Sequence, residues 1–467
     1  MKIRRVLSAL LSLTVVLSIT ACGGNGADAA TQPTTTTTTI DDDIENPVDV
    51  SEIDVNAGLK NDTKFDPCTL SYIGNYDMTK AGDVKPAVKY FESTYGCDFD
   101  VTIVAYDQLE EKILLLIQGD QAPDLVDKQD NTFPHWMSKN MYTALDDYID
   151  LSQPQWEGCE PFVERYSWGG KHYYYPWSYD VSPFWCIYNR GLFAEQGIDD
   201  PYELYQNGDW TWDTFKQCMV DFVGGDNNKL GCYGYYGTGF INSAGATLVD
   251  IVDGKLVNNL NNSTVEHVQN YLETLRKEGL SDLDYGDYNN VAQEPVIYGN
   301  AAFHLVGGWK ITDYARAQKK DPNLDIFFVP IPRDPAADDY YYSLSTFGYL
   351  VPNASKHVEA ACAFINCARL SVTDQELAET TKESIMKNKK YTEEMYDFMM
   401  KFKDTEGFST IIDESFGFAG ETTEIMKKLC ADVAFDQSAE QMTWTQMKET
   451  YYNIVQDTID YYNSYLE

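Results

Sequence analysis

Basic residues are scarce in this chain: 35 Lys and Arg stand against 73 Asp and Glu, a formal charge of −38. A phosphate backbone has to be neutralised by Lys and Arg, so nucleic acid is excluded as a partner. Direct adsorption to anionic lipid is equally unfavourable, and the acidity otherwise reads as solubility. Histidine is scarcer still, with five scattered residues. None sits at ligand spacing from a cysteine and there is no Cys-x-x-Cys pair, which argues against zinc; no metal or cofactor is expected. The chain also lacks a G-x-x-x-x-G-K-[ST] phosphate loop, a G-x-S-x-G elbow and an H-E-x-x-H helix.

Long apolar runs are missing too. Val6 to Ala21 is uncharged for 16 residues, short of the roughly 20 that a bilayer span needs. With Lys2, Arg4 and Arg5 before it, the run reads as a cleavable signal peptide over residues 1–21. Ile19-Thr20-Ala21-Cys22 places a cysteine directly after small residues at the cleavage point. This resembles the bacterial lipobox, in which that cysteine becomes the lipidated first residue; the alternative is an ordinary signal peptide with an incidental Cys22. On the lipobox reading the protein is held at the cell membrane by lipid on Cys22, facing outward, and the several acyl chains of such a modification suffice for stable anchoring.

Nine further cysteines remain, at 68, 97, 159, 186, 218, 232, 362, 367 and 430. Disulfide frameworks belong to small secreted domains, and this chain is large. Most are expected to be small buried apolar residues, with the odd count leaving at least one unpaired. Residues 22–65 follow the leader with little apolar content, a run of threonines from Thr34 to Thr39 and the triplet Asp41-Asp42-Asp43. Such a composition cannot bury enough surface to fold and reads as a tether. About 42 flexible residues reach roughly 35–40 Å.

The folded body opens with alternating strands and helices. Thr69 to Ile73 is β-prone, Val84, Val88, Phe91 and Tyr95 recur at helical spacing, and Phe99, Val101 and Ile103 alternate. Asp107 to Glu110 resembles a capping box opening a helix with Leu109, Ile113, Leu116 and Ile117 inward. Pro123 to Val126 is the next short strand. This alternation predicts an α/β fold with a parallel sheet, whose binding loops lie beyond the strand C-termini. Asn75, Tyr76 and residues 127–131, including Asp127 and Asp130, occupy those loops. Near the end Trp444, Met447, Tyr451, Ile454 and Val455 mark the apolar face of a helix, and no internal repeat is found.

Six short motifs follow one another along the chain. Ile117 to Val126 resembles the segment "L-x-x-G-x-x-P-D-[IVL]", and Tyr166 to Pro176 resembles the "G-K-x-Y-x-x-P" hairpin. Ile187 to Phe193 is similar to "Y-Y-N-K-D-L-F", and Trp210-Thr211-Trp212-Asp213 to the start of a "T-W-D-E-L" helix. Tyr298 to Phe303 with Gly307-Gly308-Trp309 resembles "G-K-A-A-M … G-x-W", and Gly348 to Pro352 with Ala360 to Phe364 resembles a late strand and helix. Each motif alone is weak, but together, from Ile117 to Phe364, they keep the order found in extracellular solute-binding proteins of the sugar-binding kind that serve ABC importers, a family the chain resembles. The resemblance implies a two-lobed, periplasmic-binding-protein-like fold with a ligand cleft between lobes joined by crossing hinge segments. On the family's chain path the first lobe is 66–176 with a return over 334–395. The second is 182–327 completed by 396–467, and hinges lie at 177–181 and 328–333.

The expected ligand is a carbohydrate, whose flat C–H faces suit aromatic rings and whose hydroxyls suit carboxylates and amides. Trp309 follows two glycines and matches the family's stacking residue; the alternative is a core indole. Asp180 falls where the family has a hinge carboxylate, flanked by Trp177 and Tyr179, which either line the cleft or pack. Tyr235, Tyr236 and Phe240 sit among glycines that either wrap a ligand or turn tightly. Phe416 and Phe418 occupy a loop where relatives carry another aromatic platform. The expected partners are ABC permease subunits with a separate ATPase, and the protein is expected to be a monomer. A glycoside hydrolase would need two carboxylates about 5–9.5 Å apart, but with 73 acidic residues finding such a pair would carry no weight. The remaining alternatives are a peptide- or polyamine-binding protein, or a surface glycan sensor that feeds no transporter.

Overall fold

Four short apolar runs build the first sheet, in the order Tyr349–Leu350, Leu125–Asp127, Thr69–Gly74 and Asp98–Ile103. The computed structural model describes residues 58–60, 64–181, 184–281, 292–403, 407–434 and 442–465. The leader, Cys22 and nearly all of the tether lie outside the described residues. Thr69–Gly74 is the central strand, parallel to Asp98–Ile103 and to Leu125–Asp127. Tyr349–Leu350 closes the far edge antiparallel, with Tyr349 opposite Asp127. Leu70, Tyr72 and Ile73 are all buried, as expected of a parallel strand covered on both faces. The helix Lys85–Tyr95 has Pro86 in its first turn, where a missing N–H costs nothing, and stops at Gly96 in the left-handed region (φ 64°). Its Phe91 packs 5.6 Å from Phe364. Phe364 belongs to the helix Val358–Thr373, buried from Ala360 through Ser371.

Two local expectations are corrected here. The strand Asp98–Ile103 forms, but at the sheet edge, leaving Ile103 59% exposed. The capping box at 107–110 does not form. Tyr106–Gln108 is a 3-10 turn, and the helix Leu109–Gln118 starts without a side-chain cap. Glu110 turns instead to His135 (2.9 Å) and Lys139, since charged partners hold a carboxylate more strongly than a neutral backbone amide does. Leu109 and Ile113 are buried as expected, whereas Leu116 and Ile117 are half-buried.

The second sheet runs Ile326–Pro330, Phe184–Asn189, Ala301–Gly307 and Leu230–Gly234. Ala301–Gly307, buried throughout, is parallel to Leu230–Gly234 and antiparallel to Phe184–Asn189. The helix Trp212–Val223 covers it, opened by a reciprocal cap between Thr211 and Thr214. Phe215 of that helix lies 5.0 Å from Phe303. The C-terminal helix Trp444–Asn463 buries Trp444, Met447, Val455, Ile459 and Tyr462. Tyr451 is only half-buried and Ile454 is 39% exposed, so the apolar stripe is rotated from the expected one.

A third sheet has three strands. Ser178–Val181 pairs antiparallel with Tyr341–Phe347, which pairs in parallel with Ser409–Ile411. Residues 328–330, expected in a crossing, are the buried end of a strand in the second sheet. The stretch after it still rests on that lobe: the Arg333 N–H donates to the Trp210 carbonyl (3.2 Å) and the Tyr340 hydroxyl to that of Gly208 (2.9 Å). Ile326 to Val329 is apolar enough to be buried as a full strand.

Eight of the nine described cysteines are buried, Cys68 is half-buried, and all nine are free thiols. Among the described residues, no helix is long and apolar enough to cross a membrane.

Candidate ligand cleft

Strand register decides which side chains meet at the ends of the two sheets. In the first lobe the central strand ends at Gly74, delivering Asn75, exposed, and Tyr76, half-buried; its neighbour ends at Asp127. In the second lobe Leu305 lies beside Gly234, and Gly307 lies opposite Phe184. Tyr235 and Trp309, which follow these parallel strands, thus emerge at the same edge as Phe184. Tyr235 meets Phe184 edge-on at 5.6 Å.

Trp309 is 46% exposed, so it is not the core indole that was the alternative. Its ring folds back over Gly307, where a Cβ would stand 2.2 Å from the indole Nε1. The missing Cβ at 307 is what lets the ring approach so closely. Lys310 places its ammonium 5.9 Å from the ring centroid and 2.9 Å from Asp313.

The floor of the first lobe is ionisable. Asp127 is half-buried, and no described group hydrogen-bonds its carboxylate. Burial pushes the Asp127 carboxyl up to about 7, with Lys128 pulling against the rise and Asp83 adding to it. Burial likewise raises the phenols of Tyr72, Tyr76 and Tyr349 around it. The Lys128 ammonium lies 5.2 Å from the Tyr166 ring centroid and 6.0 Å from that of Tyr174. Burial works against that charge, but Tyr166, Glu414 and Asp130 outweigh it and raise the pKa. Burial also raises Glu414, opposed by Lys128 and Arg165.

At the hinge, Lys403 bonds Asp180 Oδ1 (2.5 Å) and also donates to the Tyr179 carbonyl. The Tyr179 hydroxyl returns a bond to the Lys403 carbonyl (2.8 Å). Asp180 and Tyr179 are thus tied to the chain that follows the helix Glu393–Met400. Trp177 is buried, its ring 6.3 Å from Phe347.

The remaining candidates are dispersed. Asp130 is exposed and accepts from the Tyr106 hydroxyl (3.0 Å). Tyr236 and Phe240 are buried 5.1 Å apart in the second-lobe core. Phe418 is buried beside Tyr462 (5.8 Å), and Phe416 is half-buried. Phe240 and Phe418 therefore offer no face to a ligand in this arrangement.

Sequence reasoning missed a polar network that pins the middle hinge strand to the second lobe. The Asn242 amide donates to Asp413 (2.7 Å), and its carbonyl accepts from Ser343 (2.7 Å) and Thr238 (2.8 Å). It also missed Glu414 and Arg165; only the acidic pair Asp413-Glu414 ahead of Phe416 could have signalled them. The lobes touch through these loops. The His135 N–H donates to the Gly417 carbonyl (3.2 Å), its Nδ1 meets the Tyr462 hydroxyl (2.8 Å), and Arg165 donates to the Ile412 carbonyl (3.1 Å). A cavity of about 430 Å³ lies beside Arg165, Thr247, Asp250, Asn259 and Tyr341. None of the thirteen candidate ligand residues lines it.

Two α/β lobes with binding loops gathered at the ends of their sheets, joined by crossing strands, define a bilobal solute-binding architecture. Residues 77–370 match the family of bacterial extracellular solute-binding proteins, and the chain belongs to that family. Solved structures with the same fold include the GacH receptor of Streptomyces glaucescens, described with acarbose: 17% identity, TM-score 0.61, covering 86% of this chain and 98% of that one. An ABC substrate-binding protein from Listeria monocytogenes, in complex with cycloalternan, is 15% identical with TM-score 0.60, covering 84% and 99%. UgpB from Mycobacterium tuberculosis, in complex with glycerophosphocholine, is 16% identical with TM-score 0.59, covering 85% and 100%. No curated protein sequence matches the chain.

Proposed function

We propose that this protein captures a carbohydrate between its lobes and hands it to an ABC permease driven by a separate ATPase subunit. The observation that carries the reading is the half-exposed Trp309 indole, packed close against Gly307. It shares a sheet end with Tyr235, and the first lobe's corresponding strand ends carry Asn75, Tyr76 and Asp127. An indole face covers sugar C–H groups while carboxylate and amide oxygens take hydroxyls. Solute-binding relatives described with acarbose and cycloalternan support a sugar. Binding accounts for these residues without catalysis, so the protein acts as a receptor and not as an enzyme. The closed arrangement is favoured by ligand through its differential affinity for the two states, and this is what the permease reads. Lipid on Cys22 anchors it outside the cell, and replacing Cys22 should release it from membranes.

A second reading has its own support. Asp127, Glu414 and Asp413 gather carboxyl groups near the sheet ends, and one relative is described with glycerophosphocholine, which carries a choline ammonium beside its phosphate, so a solute bearing an ammonium group would also fit. A thermal-shift screen against mono- and oligosaccharides, peptides and polyamines separates the two. Ligand at 100 times its dissociation constant adds about 2.7 kcal/mol. A sugar that raises the midpoint supports the first reading; shifts from polyamines or peptides alone overturn it.

A further inference from the structure

We propose that Cys68 and Cys97 are an oxidisable pair that closes into an intrachain disulfide at the end of the first sheet opposite the cleft. The register sets this up. Thr69 pairs with Asp98 in parallel strands, so the residues immediately before them stand side by side. The Asp98 N–H donates to the Cys68 carbonyl (3.1 Å), the Cys68 N–H points at the Cys97 Sγ (3.3 Å), and the two sulfurs are 3.6 Å apart. Adjacent strands lie about 4.8 Å apart, inside the Cα separation of roughly 4.4–6.8 Å that a disulfide bridges.

Access is one-sided. Cys68 is half-buried and borders a cavity of about 280 Å³ with Pro67, Lys356, His357 and Glu359. Cys97 is buried behind it, as are the seven other described cysteines. Cys68 is thus the thiol that an external reagent reaches, and Cys97 the one that resolves the adduct. Burial pushes the Cys68 thiol up to about 12, with Cys97 adding to the rise. That is the opposite of an activated catalytic thiol, so the pair is structural and its oxidation slow. The family is extracellular, where disulfides persist.

With a small-molecule disulfide as oxidant the step balances. Cys68 loses its proton to solvent and attacks one sulfur of the reagent, forming a mixed disulfide and expelling one thiolate, which takes up a proton. Cys97 then loses its proton and attacks the Cys68 sulfur, expelling the second thiolate. Two protein thiols become one disulfide as one reagent disulfide becomes two thiols. The bond spans 29 positions and ties the entry of the central strand to its neighbour. Gly74 and the cleft loops lie at that strand's other end.

The test is to incubate the reduced full chain with oxidised glutathione, alkylate it, digest it and read the linkages by mass spectrometry. The expected result is one new crosslink, Cys68 to Cys97, with the seven other described thiols still alkylated. The melting midpoint should rise by about 5–10 °C and return on reduction. In C97S the reaction should stop at a glutathione adduct on Cys68. The wild-type chain alone decides the matter if that variant fails to fold. Both thiols remaining free after oxidation, or Cys68 crosslinked to a different cysteine, overturns the proposal.

Discussion

Removing the Trp309 indole should weaken ligand binding far more than it weakens the fold. The residue is 46% exposed, and an aromatic side chain of this kind offers about 150–250 Å². Roughly 70–115 Å² is therefore open for a ligand to cover, worth about 2–3 kcal/mol at about 25 cal/mol per Å². At a factor of ten per 1.4 kcal/mol, W309A should lose roughly 30- to 100-fold in affinity. The packed part of the ring rests on Gly307, the buried last residue of its strand. The fold should lose about 1 kcal/mol, a drop of roughly 2–4 °C in melting midpoint. Isothermal titration with the sugar found by screening, alongside thermal melts of both proteins, reads both quantities. W309F should recover part of the affinity, since it restores a flat ring of smaller area. A variant that melts more than 10 °C lower while binding normally would show that the indole is a packing residue and would refute the argument.

Three further outcomes follow from neighbouring geometry. G307A puts a methyl group where the indole Nε1 now lies, so it should displace the ring and cost affinity as W309A does. Combining the two should add almost nothing, and an additive double variant would uncouple them. Burial raises Asp127 to about 7, so the folded chain keeps a proton that the unfolded chain releases near pH 4. Stability then falls as pH rises from about 4 to 7. D127N should flatten that slope in melts across the window, and an unchanged slope would assign it to other groups. Glu110 shows the opposite sign. Burial works against its carboxylate, but hydrogen bonds and charge from His135 and Lys139 win and hold it at about 2. That stabilisation is present above about pH 4 and is lost as pH falls through 2. E110Q should cost about 1–3 kcal/mol at pH 7 in urea melts, with the difference vanishing near pH 2.

What could be read ahead of the structure depended on how local the cause was. The strand at Thr69 and the helix through Val88 and Phe91 were legible because period-2 and period-3.6 apolar spacing reports burial directly. The position of Trp309 was legible because Gly307-Gly308-Trp309 combines a close backbone approach with an aromatic, and the structure shows why: a Cβ at 307 has no room. The same spacing logic cannot distinguish Phe240 or Phe418 from an exposed ring. Their burial is set by Phe215, Tyr236 and Tyr462, partners that lie up to 44 positions away in the chain. The crossing expected at 328–333 failed for a related reason: it came from the family's chain path, and only pairing with Phe184–Asn189 shows residues 328–330 to end a strand of the second sheet. The cap at 107–110 failed because its Glu110 is drawn to His135 and Lys139. A sequence reading weighs a side chain against its neighbours in the chain, whereas the fold weighs it against every charge within reach. Asp127 is the clearest case. Expected in a loop from the parallel alternation, it is the last residue of the strand Leu125–Asp127, and its high pKa comes from burial beside Tyr72 and Tyr76 of one segment and Tyr349 of another. The residues at the sheet ends were therefore set by topology, and the titration of Asp127 by assembly.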